Sequence, residues 1–243
     1  RIGDWAFEFC PSLREVSLSE ELTYIGEGAF YASGLESVTV PEGIETIKDY
    51  TFSNCSSLCE ANLPSTLKTI DRDGFSGCGS LESIDLPEGL EYIGESSFNG
   101  SGLKSISIPE SVQILMLWAF ANCVSLESAE IRCETEELQD GMFISCSALQ
   151  SVILPDSVVF IGDDAFNGCS SLTGIDLPDG IRFIGENAFC SSGLTEIDLK
   201  SAQCVCINAF GDCESLSDVY FDGVLADVCL ADERYSDWGV DTW

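Results

Sequence analysis

The sequence predicts a solenoid, in which short repeats stack into a parallel β ladder around one continuous core. Ten phenylalanines recur at intervals of 21–23 residues, and a leucine follows each of them five or six residues later. A fixed period of this length is typical of architectures in which each repeat buries its apolar face only against its neighbours. The phenylalanines are Phe7, Phe30, Phe52, Phe75, Phe98, Phe120, Phe143, Phe166, Phe189 and Phe210.

Within each repeat, the leucine opens a short segment in which apolar and polar residues alternate, as in residues 81–86. Alternation with a period of two predicts a strand with one buried face. Proline often ends this segment, since it lacks the amide donor that a ladder needs. Further on, glycine recurs at Gly26, Gly94, Gly162 and Gly185, where we expect turns with positive φ.

Stretches such as FNGCSSLTGIDLP and LPDGIRFIGENAF, within residues 166–189, are similar to the consensus of BspA-like leucine-rich repeats, a family of bacteria and protists. The resemblance covers residues 1–221. It implies a leucine-rich repeat solenoid of the α/β repeat class, a right-handed, curved stack of parallel strands. It also implies a secreted or cell-surface protein that adheres to host or partner proteins.

Two repeats and both ends of the chain depart from the pattern. Repeat seven replaces the proline turn with residues 132–138, and repeat ten, after Lys200, lacks the proline. Residues 222–243 leave the pattern, so we predict a solenoid over 1–221 and a C-terminal capping segment over 222–243, because a solenoid needs a cover on its open end. The chain begins within a repeat and without methionine, which indicates a piece of a longer protein.

Charge limits the classes of partner. The chain has 42 acidic and 10 basic residues, a net charge of −32. Nucleic-acid phosphates and anionic membrane surfaces need a basic face, so we expect neither as a partner. The longest apolar runs are far below the ~18 residues of a membrane-spanning helix, so no direct membrane insertion is expected. A cationic partner is favoured.

Many of the acidic residues recur three positions before the phenylalanine, and this column has two interpretations. One is a calcium-binding rim, although calcium wants six to eight converging oxygens and each repeat offers about one. The other is a set of solvated turn residues, some of which cap short turns. The column comprises Asp4, Glu27, Asp49, Glu95, Asp140, Asp163 and Glu186.

Cysteine is abundant, with 13 residues, and seven of them stand three positions after the phenylalanine. We predict that this column is buried, reduced and inert, because free cysteine behaves as a small hydrophobe. Serine replaces it in three repeats, which suggests a size requirement. The spacing of 23 matches no zinc motif, and we predict no metal and no cofactor. Disulfides remain an open alternative among Cys59, Cys133, Cys190, Cys204, Cys206 and Cys229.

Histidine is absent, which excludes Ser-His-Asp and Cys-His catalytic systems. Carboxylate pairs are plentiful, so residue type alone leaves a glycosidase-type pair open. A repetitive surface offers no single deep cleft, however, and we predict that the protein is not an enzyme.

The favoured function is therefore a non-catalytic interaction or adhesion module, extracellular or on the cell surface, that binds a protein, for which a basic surface is favoured, or a glycan. The alternatives are a structural spacer or stalk and a calcium-dependent surface protein. The outward strand positions are small and polar in the middle repeats and more acidic toward the C-terminus, without lysine or arginine in the same columns. The predicted binding residues are Glu130, Asp176, Glu196, Asp198, Asp218 and Tyr220.

A second column stands six residues before the phenylalanine and holds Tyr24, Tyr92, Phe160 and Phe183. These aromatic residues form either an exposed stripe, which would suit protein or sugar contact, or half-buried packing between repeats.

Overall fold

Two parallel ladders of very short strands run along the molecule, and each repeat, or rung, contributes to both. The computed structural model describes residues 1–200 and 202–221, and these residues form a single solenoid with no helix among them. The predicted capping segment, residues 222–243, lies outside the described residues. All strand pairs are parallel, and paired residues are 21–23 positions apart.

The front ladder consists of the strands that follow the leucines. They are β1 (Ser37–Thr39), β3 (Glu60–Asn62), β6 (Ser105–Ile108), β8 (Ser128–Ile131), β10 (Ser151–Ile153), β13 (Glu196–Asp198) and β15 (Asp218–Tyr220). They pair as β1-β3, β6-β8-β10 and β13-β15.

The side ladder consists of two-residue strands that precede the phenylalanine turns. They are β2 (Thr46–Ile47), β4 (Thr69–Ile70), β5 (Tyr92–Ile93), β7 (Ile114–Leu115), β9 (Glu137–Leu138), β11 (Phe160–Ile161), β12 (Phe183–Ile184) and β14 (Cys204–Val205). They pair as β2-β4-β5-β7 and β9-β11-β12-β14, so this ladder breaks at the irregular seventh repeat.

The core is a stack of phenylalanine rings along the solenoid axis, as the period predicts. Neighbouring ring centroids lie 5.1–5.9 Å apart and their planes differ by at most 17°. The eight inner rings, from Phe30 to Phe189, are fully buried. Phe7 is 37% exposed and Phe210 half-buried, because each stacks on only one neighbour in the column.

The phenylalanine lies in a turn with two left-handed residues, one two positions before the ring and one two positions after it, in all ten repeats. The residues before the ring have φ of 53–59°, and they are Trp5, Gly28, Tyr50, Asp73, Ser96, Trp118, Gly141, Asp164, Asn187 and Asn208. Glycine, asparagine and aspartate suit such positions.

The glycines predicted to need positive φ do not have it, and the prediction was wrong at Gly26, Gly94, Gly162 and Gly185. Glycine is required there because the backbone of the preceding rung passes too close for a side chain. A Cβ at Gly162 would lie 2.7 Å from the backbone nitrogen of Asp140, and one at Gly94 would lie 2.6 Å from a backbone carbon of Asp71.

Three segments that were predicted as strands do not form them. Residues 13–18 of the first rung lie before β1, and residues 81–86 and 172–177 interrupt the front ladder. Ile84 and Leu177 are nevertheless buried, as in the paired rungs. Alternation reports which side chains face the core, and it does not report whether the backbone joins a ladder. Residues 81–86 and 172–177 each accept one backbone hydrogen bond from the following rung, from Lys104 N to Glu82 O and from Thr195 N to Thr173 O.

All seven cysteines of the column are free thiols, and Cys55, Cys78, Cys123, Cys146 and Cys169 are buried, as predicted. The prediction of burial was wrong for the first and last, Cys10 and Cys213, which are half-buried. Each buried thiol donates to the carbonyl of the phenylalanine one rung earlier, at 3.0–3.2 Å. In the shortened repeats, Ser33, Ser101 and Ser192 occupy the same position and contact the next cysteine at 3.2–3.3 Å. The column therefore requires a small hydrogen-bonding group, and size alone does not describe it.

Of the other six cysteines, Cys59, Cys133 and Cys190 are free thiols, and Cys204 is disulfide-bonded. Cys229 lies outside the described residues.

Candidate binding surface

The outward side chains of the front ladder form exposed to half-buried rows over each set of paired strands. The ladder register places Ser105, Ser128 and Ser151 side by side, and Ser107, Glu130 and Ile153 in a second row two residues on. Ile153 is 61% exposed. Since most of these side chains are small, the peptide backbone lies close to the surface, and a partner can approach the ladder over several rungs.

The predicted acidic residues lie at the C-terminal end of this row. Glu196 is in register with Asp218, and Asp198 with Tyr220, so these four side chains share one exposed face of β13 and β15. Tyr220 is 54% exposed. Asp176 belongs to the interrupted rung that precedes β13, and its side chain is almost fully exposed.

Lys200 lies within this acidic group, although the sequence columns alone showed no basic residue there. Its ammonium group is 3.3 Å from Asp198, 3.8 Å from Asp176 and 3.9 Å from Asp179. The hydrogen bond with Asp198 and the nearby carboxylates raise the pKa of Lys200. The Lys200 backbone amide also donates to the Asp198 carboxylate, which lowers the pKa of Asp198. One cation thus partly neutralises the group.

Glu130 is separate from that group, in the middle of the ladder. It is half-buried and accepts a 2.9 Å hydrogen bond from Ser107 on the neighbouring strand. The structure therefore brings together five of the six predicted binding residues and leaves the sixth two or more rungs away.

The two basic residues at proline-less rungs share a role that the sequence signalled. Arg132 and Lys200 both stand where six other rungs carry proline, at the rim of the front ladder, whereas the first rung has Ser19 there. Arg132 forms a 2.6 Å ion pair with Glu88, two rungs earlier, as Lys200 does with the aspartates beside it. A basic residue in place of the proline was the signal that could have identified this pairing.

A shallow depression of about 220 Å³ opens in the front ladder at its first interruption. It is lined by residues 59–63 and 83–85, and the polar side chains at its edge include Glu60, Asn62, Ser83 and Asp85. The free thiol of Cys59 lies at its rim and donates to the Glu36 carbonyl at 3.1 Å.

Carboxylates of the acidic column before the phenylalanines accept hydrogen bonds from backbone amides of the next rung. Asp4 accepts a hydrogen bond from the backbone amide of Glu27 at 3.2 Å, and Asp49 from that of Arg72 at 3.1 Å. Asp140 accepts from the amide of Asp163 at 2.7 Å. These contacts agree with the turn-residue interpretation. Among the described residues, no cluster of three or more acidic or cysteine side chains is arranged to hold a metal ion.

All four residues of the aromatic column of the side ladder are half-buried, which agrees with the packing interpretation. Phe160 and Phe183 are neighbours with ring centroids 6.2 Å apart. Tyr24 lies under the guanidinium of Arg1, 4.3 Å from its ring centroid. No helix in the described part of the chain has the length and apolarity to cross a membrane.

The stacked rungs, the phenylalanine core and the parallel ladders define a leucine-rich repeat solenoid. The BspA-type leucine-rich repeat region matches the chain over residues 1–100, 68–159 and 136–228. The chain therefore belongs to the BspA-type leucine-rich repeat family, as its sequence motifs indicated.

Among solved structures, a leucine-rich repeat protein of T. pallidum is 31% identical, with a TM-score of 0.59 over 61% of this chain and 70% of that one. A leucine-rich cell surface protein of Faecalibacterium prausnitzii is 23% identical, with a TM-score of 0.50 over 92% of this chain and 77% of that one. The pneumococcal vaccine antigen PcpA is 19% identical, with a TM-score of 0.50 over 82% and 60%. The last two show the fold alone. No curated protein sequence matches this chain.

Proposed function

We propose that this chain is a non-catalytic protein-binding module that acts outside the cell or at its surface, and that the front ladder is its binding surface. The observation that carries the proposal is the row of exposed and half-buried side chains, mostly small, over β6, β8 and β10, with the acidic face of β13 and β15 beyond the interrupted rung. Family membership supports an interaction role, because leucine-rich repeat proteins generally bind proteins. The F. prausnitzii neighbour is described as a cell surface protein.

The partner that fits this surface is a protein with a basic patch. Glu196, Asp198 and Asp218 lie on neighbouring strands with exposed side chains, and Lys200 offsets only part of their charge. Exposed carboxylates of this kind increase the rate of encounter with a cationic partner and add less to the lifetime of the complex. Tyr220 adds an aromatic side chain, a residue type that is enriched in protein interfaces.

The test compares the chain with the triple variant Asp176→Ser, Glu196→Ser, Asp198→Ser. The probes are purified basic extracellular proteins, with acidic ones for comparison, passed over the immobilised chain. We expect the association rate of a binding protein to be at least ~3-fold lower in the variant than in wild type. We also expect the association rate of wild type to fall as salt rises. The matched control is Glu8→Ser, Glu27→Ser, Glu186→Ser, which removes equal charge from the phenylalanine turns.

Two results would contradict the proposal. Equal loss in the control variant would show that total charge, and not the front ladder, governs association. Absence of binding to every basic protein of the panel would favour the spacer function over an interaction module.

A further inference from the structure

The sixth repeat carries an apolar surface where the other repeats are polar. Residues 114–118 read Ile-Leu-Met-Leu-Trp, whereas the equivalent residues 92–96 and 160–164 contain glycine, serine and acidic side chains. Leu115 is buried, but Ile114 is 50% and Trp118 42% exposed. Met116 and Leu117 are half-buried. We call Ile114, Met116, Leu117 and Trp118 the Trp118 surface.

Trp118 adopts a backbone conformation that its side chain disfavours. It lies at a left-handed position, with φ of 57°. Residues that suit this conformation, such as Asp164 and Asn187, occupy the same position in other repeats. The indole extends over Gly141 of the next rung, where an added Cβ would lie 2.0 Å from the indole Cδ1. The left-handed position is common to every repeat, and Trp5 at φ 56° lies against Gly28 in the same way. The sixth repeat differs because Ile114, Met116 and Leu117 accompany an indole that remains 42% exposed.

Acidic residues flank the Trp118 surface on both sides. Glu95 and Asp140 stand on the neighbouring rungs at the position that Leu117 occupies in its own rung. Backbone hydrogen bonds fix this arrangement, from Ser96 N to Leu117 O at 3.2 Å and from Trp118 N to Asp140 O at 3.0 Å. Adjacent rungs are separated by the spacing of paired strands, ~4.8 Å. The apolar side chains are thus within one rung of a carboxylate on each side.

We propose that the Trp118 surface binds a basic amphipathic segment of a partner protein. Apolar side chains of the segment would pack on Ile114 and Trp118, while its lysine or arginine side chains would meet Glu95 and Asp140. A second copy of this chain would bring the same carboxylates and a net charge of −32, which disfavours self-association through this surface. Anionic lipid headgroups would be repelled in the same way.

The test measures the affinity of a labelled, helix-forming peptide of leucine and lysine by fluorescence anisotropy. The variant is Ile114→Thr, Trp118→Ser. Other repeats already have these residues at the same positions, so the fold is preserved. Thr69 occupies the position of Ile114, and Ser96, with φ of 53°, occupies that of Trp118. The matched control is Trp5→Ser, since Trp5 occupies the same repeat position and is 39% exposed. We expect the Kd to rise at least ~10-fold in the double variant and to stay within ~2-fold in the control.

Other outcomes would overturn the proposal. They are a Kd unchanged by the double variant, an equal loss with Trp5→Ser, or equal binding of a peptide in which glutamate replaces lysine. Binding of wild type to phosphatidylglycerol vesicles in place of the peptide would indicate a membrane-binding surface. A dimer in sedimentation that the double variant abolishes would indicate a self-association surface. The front-ladder triple variant should bind the peptide within ~3-fold of wild type, which separates this surface from the proposed function.

Discussion

A cysteine or a serine occupies one inward position in every rung, and the buried thiols of this column donate to a backbone carbonyl of the rung before. The Cys78 thiol donates to Phe52 O at 3.2 Å, and the Cys169 thiol to Phe143 O at 3.2 Å. A buried polar group without a partner costs roughly 1–3 kcal/mol. The column therefore links each rung to the previous one through a side chain as well as through the backbone ladder.

Burial also determines how these thiols titrate. It raises the pKa of Cys169 to about 12 from its ordinary 9.0. It raises the pKa of Cys78 well above the same ordinary value. The neutral thiol is thus the form that the folded state retains, and the thiolate that alkylating reagents attack is scarce at neutral pH.

We expect the folded state to lose stability as pH rises from about 9 to about 12. Between about 9 and 12 the Cys169 thiol ionises in the unfolded chain and stays protonated in the folded one. The unfolded state then binds fewer protons, so the free energy of unfolding falls by up to roughly 1.4 kcal/mol per pH unit for each such thiol. Urea denaturation at pH 8 to 10.5 measures it, and Cys169→Ser should flatten the slope. A stability independent of pH over that range, or rapid alkylation of the native protein at Cys78 or Cys169, would show that these thiols are not buried.

At the scale of one structural element, the phenylalanine turn depends on two left-handed residues. Where these are glycines, they differ in how closely neighbouring atoms approach. Gly141 and Gly168 both have positive φ, 58° and 77°. A Cβ at Gly168 would meet its nearest atom at 3.4 Å, whereas one at Gly141 would lie 2.0 Å from the Trp118 ring. This pair separates the cost of the backbone conformation from the cost of a steric clash.

We expect Gly168→Ala to lower the free energy of unfolding by ~1–2 kcal/mol, the cost of a left-handed alanine. Gly141→Ala should cost a further ~1–3 kcal/mol, because the indole must move. Chemical denaturation of both variants measures the difference. In a Trp118→Ser background the two glycine substitutions should cost the same, and a difference that survives there would contradict the steric explanation.

The sequence predicted these elements unevenly, and for a physical reason. Periodicity located the phenylalanine stack, the inward cysteines and the outward strand positions, because all three follow from which side chains are buried. It did not reveal the gaps at residues 81–86 and 172–177, since backbone pairing leaves no trace in the alternation. It also missed the approach of Lys200 to Asp176, 24 residues earlier, because that contact joins two different columns.

For the whole molecule, charge opposes the stack. The net charge of −32 is distributed over columns that repeat every rung, so like charges lie side by side along the axis. The ion pairs in the described part of the chain are surface pairs such as Lys104 with Glu82, which typically contribute less than ~1 kcal/mol each. Hydrophobic stacking must therefore outweigh a repulsion that depends on ionic strength.

We expect the melting temperature to rise by several degrees between about 0.01 M and 0.15 M NaCl, as the Debye length falls from ~30 to ~8 Å. Differential scanning fluorimetry measures it. Calcium and magnesium chloride at equal ionic strength should shift the melting temperature equally, since carboxylates such as that of Asp140 already accept hydrogen bonds from backbone amides. A larger shift with calcium would instead support the calcium-dependent alternative.

The backbone ladder also gives the molecule a defined mechanical character. Its hydrogen bonds join each rung to the next, as from Phe52 N to Gly74 O and Phe75 N to Ser97 O, so they run parallel to the long axis. A tensile load on the two ends therefore acts on one rung interface at a time and peels the outermost rung first, without shearing the whole stack. Each release would extend the chain by one period of about 23 residues, roughly 75 Å of extended backbone. The geometry therefore predicts that the solenoid lengthens under load in nearly even steps, one rung at a time.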